Sequence, residues 1–465
     1  MPPKFGTSGL RGLVTELTDD LVRAHVRAFI AACPQGRAVH VGRDLRASSP
    51  DIAAAVMQAV CDAGLDAIDH GAVPTPALAL ASMSAGDAAV MITGSHIPAD
   101  RNGLKFYIPQ GEISKADETA ILAMLETDHT IAGSPGQIKS DTTALPAYVA
   151  RYANAFGAGA LRGARIGVYQ HSSVARDVMG DILEGLGAES VALARSDVFI
   201  PVDTEAVDPA TRGLLAGWAQ EHGLDAIIST DGDGDRPMLA DATGTIIAGD
   251  LLGPLTAQFL GADTLVTPVS SNTLIDQMPQ FTAITRTRIG SPFVIDAMEQ
   301  ALTSDNATKI AGYEANGGFL LGFTATGPTG ALPPLMTRDS LLPMLAPLAA
   351  ARAQGKTLTD LVAALPPRFT AADRVQEVPS ERSAAFIATL TADATARTAF
   401  FKGVGAEQSL DLTDGLRVTF TCGSVVHLRP SGNAPECRCY AEADSTDAAL
   451  TLVNTHLKRL KAALD

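Results

Sequence analysis

Short apolar runs alternate with longer amphipathic stretches along most of the chain. Near the start, Thr18 offers helix-start chemistry, and Leu21, Val22, Val26, Phe29 and Ile30 recur on one helical face. Residues 38–41 form a short apolar strand. Ser49 followed by Pro50 reads as an N-cap with a first-turn proline, opening a helix that runs to Gly64. Strands are expected at 65–68, closed by a turn at Pro74 and Pro76, and at 88–92. A helix capped near Ser114 carries Leu122, Met124 and Leu125. Strands alternating with helices in this way predict a βαβ unit with a mainly parallel sheet.

The pattern loosens across 129–146, where Gly, Ser, Pro and Thr accumulate. It resumes with a strand at 164–169, a helix at 176–186 and a strand at 225–229. A third unit holds a strand at 264–268, a loop-to-helix segment IGSPFVIDAM and a strand at 309–312. Near 365–369 the pattern changes. From Ser409 onward it reads as strand, hairpin, strand and one helix over 447–464, with Leu450, Val453, Leu457, Leu460 and Leu464 apolar. The expected division is 1–143, 144–254, 255–368 and 369–465: three similar α/β domains with mixed, mainly parallel sheets, then a C-terminal α+β domain. No internal repeat is strict, but AAVMITGSH, AIISTDGDGD and KIAGYEANGG each set an apolar strand directly before a polar, Gly-bearing loop. Ligands of open α/β sheets sit at the carboxyl ends of strands, so three such loops are expected to line one central cleft.

Composition narrows the function. The 465 residues are 46% hydrophobic and 18% charged, as in well-packed globular domains. A net charge of −16 argues against nucleic acid or an anionic membrane as partner, and requires any anion site to gather Arg and Lys locally. Five cysteines, with no C-x-x-C pair, form no disulfide framework; Cys437 and Cys439 alternate on an apparent strand as small packing residues. The opening MPPKFGTSGLRG lacks the apolar core of a signal peptide, and no run approaches the roughly 18 apolar residues of a membrane span. A soluble cytoplasmic protein, monomer or homodimer, is expected.

Chemistry concentrates in five segments. TDGDGDR, 230–236, sets Asp231, Asp233 and Asp235 at alternating positions that can converge on one hard cation. An EF-hand would need Gly where Arg236 stands and an acidic residue where Ala242 stands. Three carboxylates leave coordination open, which suits Mg²⁺ that also takes oxygens from a phosphate. TGSHIPADRNGLKF places Ser95, His96 and Lys105 after a buried-strand pattern; it lacks the G-x-S-x-G spacing of a nucleophile elbow. RPSGNAPECR offers Arg429, Ser431, Gly432, Asn433 and Arg438 for a phosphate dianion. In GYEANGGF, Glu314 and Asn316 suit sugar hydroxyls, Asn316 as both donor and acceptor. FGTSGLRG adds Arg11 in a small-residue loop, and RIGSPFV leads into a helix whose N–H groups can meet an anion.

These pieces, in this order and across essentially the whole chain, resemble the α-D-phosphohexomutase family of phosphomannomutases, phosphoglucomutases and phosphoglucosamine mutases. The resemblance implies four domains around a central cleft, with Ser95 carried as phosphoserine. It also implies one Mg²⁺ per chain, held by the serine phosphate and by Asp231, Asp233 and Asp235. Lys105, Arg236 and Arg11 match positions beside the transferring phosphoryl group. His96 is counted with the catalytic group, its expected contribution being to shape the loop. Glu314 and Asn316 would hold sugar hydroxyls, and Arg429, Ser431, Gly432, Asn433 and Arg438 the phosphate that is not reacting.

The activity implied is reversible phosphoryl transfer between O6 and O1 of a hexose phosphate, through a hexose-1,6-bisphosphate that turns over within the cleft. Mannose phosphates are preferred, with glucose phosphates next and glucosamine phosphates third. Departures from the family pattern are Gly94 and Ile97 in the serine loop, Asn316 at a serine position and Gly318 at a histidine position. An acid/base histidine therefore has no counterpart at 318. Two rival readings follow: a sugar-phosphate-binding protein without turnover, and a metal-dependent phosphatase with water as acceptor.

Overall fold

The computed structural model describes residues 3–125, 134–303, 309–431 and 435–464. Among the described residues, three α/β sheets and one larger antiparallel sheet follow one another along the chain, with a two-stranded ribbon of Ala325–Thr326 and Ala331–Leu332 falling in sequence between two strands of the third. In the first, Ala38–Arg43 lies between Asp66–Ala72 and Ala88–Ile92, parallel to both. Arg101–Ile108 then returns antiparallel to Ala88–Ile92. The second and third sheets repeat this switch. Arg165–His171 pairs in parallel with Ala226–Thr230, which pairs antiparallel with Pro237–Asp241. Thr264–Pro268 pairs in parallel with Ile310–Tyr313, which pairs antiparallel with Phe319–Leu321.

The three strand-then-loop segments therefore hold one topological position, a turn where the sheet passes from parallel to antiparallel. The strands that feed these turns, Ala88–Ile92, Ala226–Thr230 and Ile310–Tyr313, are buried along their whole length. Each turn is thus carried on a support packed on both faces.

The fourth sheet has the order Phe369–Gln376, Glu436–Ala443, Val425–Pro430, Leu416–Phe420, Glu407–Asp411. Cys437 and Cys439 point to its packed face with Val418, Leu428 and Leu460, as their spacing predicts, and all five cysteines are free. The helices Ser380–Ala392 and Ala394–Phe400 and the edge strand Phe369–Gln376 carry weak patterns and were not expected from the sequence. In Ser380–Ala392 only Ser383, Ile387 and Leu390 are buried, too narrow a stripe to read among its alanines and threonines.

Helix starts differ in one instructive place. Thr18 and Ser114 cap as expected, Ser114 within a capping box. Ser49 does not cap: it is the first helical residue, and its hydroxyl donates to Asp44 instead, at 2.6 Å. Leu122 and Leu450, expected on apolar faces, are exposed. The loosened stretch at 129–146 lies outside the described residues as far as 133. One cluster, including Tyr148, Leu239, Tyr313, Phe319 and Leu345, is shared by the second and third sheets, whereas the first and fourth have cores of their own. No helix among the described residues is long and apolar enough to cross a membrane.

Buried histidines make this packing pH-sensitive. Burial pushes His171 and His427 down to about 4, against a backbone carbonyl partner that favours the charged form in each case. The unfolded chain, with histidines near about 6.5, takes up protons first as pH falls. The contribution is complete above that value and is lost toward 4, at about 1.4 kcal/mol per pH unit for each histidine. Urea unfolding near pH 7.5 and about 5.5 should therefore give a smaller stability loss on acidification for His427→Gln than for the unaltered chain. Equal losses would reject the account.

Candidate active site

The turn after Ala88–Ile92 brings Ser95 to the head of the first sheet with φ of +53°, in the left-handed region. A short polar side chain tolerates that region better than a branched one does, and the Ser95 N–H is held by Thr93 Oγ1 at 2.7 Å. Gly94, a departure from the family pattern, leaves room for an arginine. A Cβ there would lie 2.5 Å from Arg46 Cζ. Arg46 is buried and clamps the turn, donating to the carbonyls of Ser95, Ile97, Pro98 and Arg101 over 2.6–2.9 Å. Its Nε pairs with Asp44 at 3.1 Å, and its guanidinium lies 4.0 Å from the centroid of the Phe199 ring.

Ser95 Oγ donates to Asp231 Oδ2 at 2.6 Å, so the serine turn and the aspartate turn meet although 136 residues separate them. His96 Nδ1 lies 3.3 Å from Ser95 Oγ and accepts from Arg236 at 2.7 Å. Arg236 can only donate, so this nitrogen carries no proton. Burial and the Arg236 charge push His96 down to about 3. A neutral ring bound in this way orders the turn and is a poor proton carrier near neutrality.

Asp231, Asp233 and Asp235 are buried and offer one oxygen each within 4.8 Å of one another. Burial, then the neighbouring carboxylates, raises Asp231 well above the usual carboxylate range. Burial acts upward on the other two as well, but Lys105 holds Asp233 far below that range, and Arg338 with Lys105 lowers Asp235. Lys105 Nζ lies 2.6 Å from Asp233 Oδ2 and 2.6 Å from Asp235 Oδ2, and Thr75 donates to Asp233 at 2.7 Å. Asp233 Oδ1 and Asp235 Oδ1 are buried without a hydrogen-bond partner. Two orphaned anionic oxygens beside a third carboxylate, all hard donors, fit a small divalent cation such as Mg²⁺.

The other expected residues fall into two groups. Arg11 lies behind the serine turn, donating to Thr93 O at 2.6 Å, and burial pulls its guanidinium down to about 10. Glu314, Asn316 and Arg438 line a small cavity of about 20 Å³ together with Glu205, Ser270 and Tyr440. Asn316 Oδ1 accepts the Gly318 N–H at 3.0 Å, which orients the amide and leaves it a second acceptor lone pair and its N–H donors. Arg429 and Arg438 are direct cross-strand partners, and Arg438 is in turn opposite Arg374. Opposed residues project from the same face, so three arginines stand in a row across three strands. Arg429 is 2.8 Å from Asp414, and Arg438 is 2.8 Å from Glu436. Ser431 is buried beside this row. Gly432 and Asn433 lie outside the described residues.

Arg46, Thr75, Arg338 and Arg374 belong to this site and were not singled out from the sequence. Arg46 and Thr75 sit in segments that read as ordinary turn and helix start. Arg338 follows an unremarkable apolar stretch, and Arg374 becomes visible only through strand register.

Comparison with known proteins agrees with this geometry. Four family descriptions match in succession: phosphoglucomutase/phosphomannomutase alpha/beta/alpha domain I over 2–131, domain II over 146–244, domain III over 240–369 and the C-terminal domain over 368–457. A phosphomannomutase of Sinorhizobium fredii is 45% identical over 475 residues, covering all of both chains. One from Salmonella muenchen is 43% identical, with 99% of this chain and 96% of that protein covered. The crystal structure of a phosphoglucomutase/phosphomannomutase family protein from Burkholderia thailandensis has the same fold, at a TM-score of 0.76 and 22% identity. It matches over 98% of this chain and 97% of that one.

The Arg46 clamp has a direct test. Arg46→Ala leaves Asp44 buried without its cation and four carbonyls without their donor, which should destabilise the chain by about 3–5 kcal/mol. Arg46→Lys keeps the charge but loses the planar fork, and should recover only part of that. Chemical denaturation measures both; a loss under about 1 kcal/mol for the alanine variant would remove the clamp from the account.

Proposed function

The chain belongs to the phosphoglucomutase/phosphomannomutase family, and we propose that within it the protein moves phosphate between O6 and O1 of a hexose phosphate, preferring mannose phosphates. The observation that carries this reading is the 2.6 Å contact between Ser95 Oγ and Asp231, which joins a hydroxyl able to carry phosphate to a carboxylate trio suited to a divalent ion. The mannose preference is supported by the identity of 45% and 43% to two phosphomannomutases.

In this reading Ser95 is resident as phosphoserine. A sugar hydroxyl oxygen forms a new bond to phosphorus while the bond to Ser95 Oγ breaks, the sugar hydroxyl losing its proton and the serine oxygen gaining one. Transfer to a sugar monophosphate gives a hexose-1,6-bisphosphate; after this turns around in the cleft, the other phosphate returns to Ser95. Mg²⁺, bound by Asp231, Asp233, Asp235 and the serine phosphate, would supply Lewis-acid stabilisation of the charge on the phosphoryl oxygens. Lys105 and Arg236 bring fixed positive charge to the same place without reorganisation. Arg11 neutralises charge behind the serine turn. His96 holds Arg236 and the turn in register.

Glu314 accepts from sugar hydroxyls, and the amide nitrogen of Asn316 donates. The phosphate that is not reacting is gripped by Arg429, Ser431 and Arg438, with Gly432 and Asn433 completing the loop by sequence. A phosphate site that ignores the sugar's orientation lets one cleft serve both half-reactions.

Purified protein should carry one covalent phosphate by intact mass and should interconvert mannose 1-phosphate and mannose 6-phosphate, dependent on Mg²⁺ and stimulated by catalytic bisphosphate. Ser95→Ala should lose both the phosphate and turnover, by a factor of at least about 10³, while still binding the sugar phosphate. Full turnover by Ser95→Ala would reject the covalent route, and release of inorganic phosphate in place of isomerisation would favour hydrolysis.

A further inference from the structure

Arg338, on the strand Leu335–Asp339 of the third sheet, is almost wholly buried, and its two terminal nitrogens serve two different loops. One lies 2.8 Å from Asp235 of the aspartate turn; the other lies 3.2 Å from Glu314 of the sugar turn. Left alone, those carboxylates would repel across a space that excludes water. The planar guanidinium removes the repulsion and, being rigid, sets the spacing and relative orientation of the two oxygens. The arm that reaches them runs beside Gly318. A Cβ at 318 would stand 3.0 Å from both Cγ and Cδ of Arg338 and 3.2 Å from Asn316 Oδ1, closer than the ~3.5–4.0 Å of comfortable carbon contact. Even a Cβ at 318 therefore requires the Arg338 arm to give by a few tenths of an ångström, and a longer side chain there presses on it further.

We propose that Arg338 is the positioning residue that ties sugar recognition at Glu314 to the aspartate turn, its arm packed closely against the bare backbone of residue 318. This rests on the sugar-phosphate reading of the cleft. Arg338 does not carry the proton that a histidine at 318 would have carried. It makes the hold on the sugar depend on the state of the aspartates, so that a correctly seated sugar and an ordered aspartate turn favour each other.

The experiment uses full-length protein in two backgrounds. In the Ser95→Ala background, calorimetry follows binding of mannose 1-phosphate with and without Mg²⁺, and of inorganic phosphate alone. Arg338→Lys keeps the charge but reaches only one carboxylate at a time. It should weaken mannose 1-phosphate about tenfold and abolish the effect of Mg²⁺ on that affinity, leaving inorganic phosphate, held by Arg429 and Ser431, unchanged. In the Ser95 background, Arg338→Lys should lower kcat and raise KM together.

Gly318→His should cost more turnover when Arg338 is present than when it is Arg338→Ala, since the two side chains compete for one space. Unchanged sugar-phosphate affinity with Mg²⁺ coupling intact, or strictly additive effects at 318 and 338, would overturn the proposal. If Arg338→Ala does not fold, the lysine variant and Gly318→Ala still decide it, the latter being expected to shift kcat/KM in the same direction as Arg338→Lys. Failure of the unaltered protein to bind or convert any hexose phosphate would instead overturn the reading of the cleft, and this proposal with it.

Discussion

Three aspartates converging from one short turn cannot remain ionised together in a buried space without cations in contact with them. Arg236 at the end of that turn lends its charge to Asp231 and Asp235 but bonds His96, so the cations in contact with the aspartates come from elsewhere. Lys105 comes from the first sheet and Arg338 from the third, each within 2.8 Å of an aspartate oxygen. Thr75 and Ser340 add hydrogen bonds from the same two directions, Ser340 to the carbonyl of Gly234. Charge compensation thus requires three domains to dock around one loop, and the docking puts Ser95 beside Asp231. The same constraint explains how a chain of net charge −16 gathers cations at one place: buried carboxylates recruit Lys105 and Arg338 to the neighbourhood of Ser95.

Supports for the loops follow from sheet topology. Each chemical turn stands where the sheet changes from parallel to antiparallel pairing, behind a strand with both faces covered. A hairpin tip in that position is short and fixed at both ends, so few side chains suffice to hold it. In the serine turn a single guanidinium does most of this through four backbone carbonyls, with Gly94 leaving it room. The backbone of Ser95 is held in a region that serine seldom visits, because the surrounding contacts over-determine it.

The C-terminal domain is attached by polar contacts. Arg368, in the connection where the sequence pattern changes, pairs with Glu442 at 2.5 Å, and Glu442 also accepts the Thr273 N–H at 3.1 Å. Asn272 donates to the Arg368 carbonyl at 2.9 Å, and Thr370 donates to Asp250 at 3.2 Å. Burial pushes Asp250 up to about 7 although the Thr370 hydrogen bond resists it. The hydrophobic core of the fourth sheet, by contrast, is its own. A polar junction of this kind can re-form after displacement more readily than a shared apolar core.

Much was readable in the sequence because its causes are local. Apolar runs bounded by glycine and proline marked the strands that carry the chemical turns, and the alternation of Cys437 with Cys439 gave the facing of their strand. The spacing of Asp231, Asp233 and Asp235 alone gave their convergence, which the structure bears out. Ser49 was misread because its hydroxyl answers to Asp44, a partner outside the helix, and not to the helix end. His96 was set beside a serine in the sequence, yet its Nδ1 lone pair is taken by Arg236, 140 residues away.

Arg46, Arg338 and Arg374 left no pattern to read, because an arginine's role depends on which carboxylates and carbonyls other segments bring to it. The sequence by itself determined which turns carry chemistry, since strand periodicity and the residues of a turn are properties of neighbours in the chain. Only the tertiary structure decided which charges neutralise which and who occupies the space beside Gly318. Electrostatic pairing and excluded volume act through space, between segments whose separation along the chain carries no information about their distance.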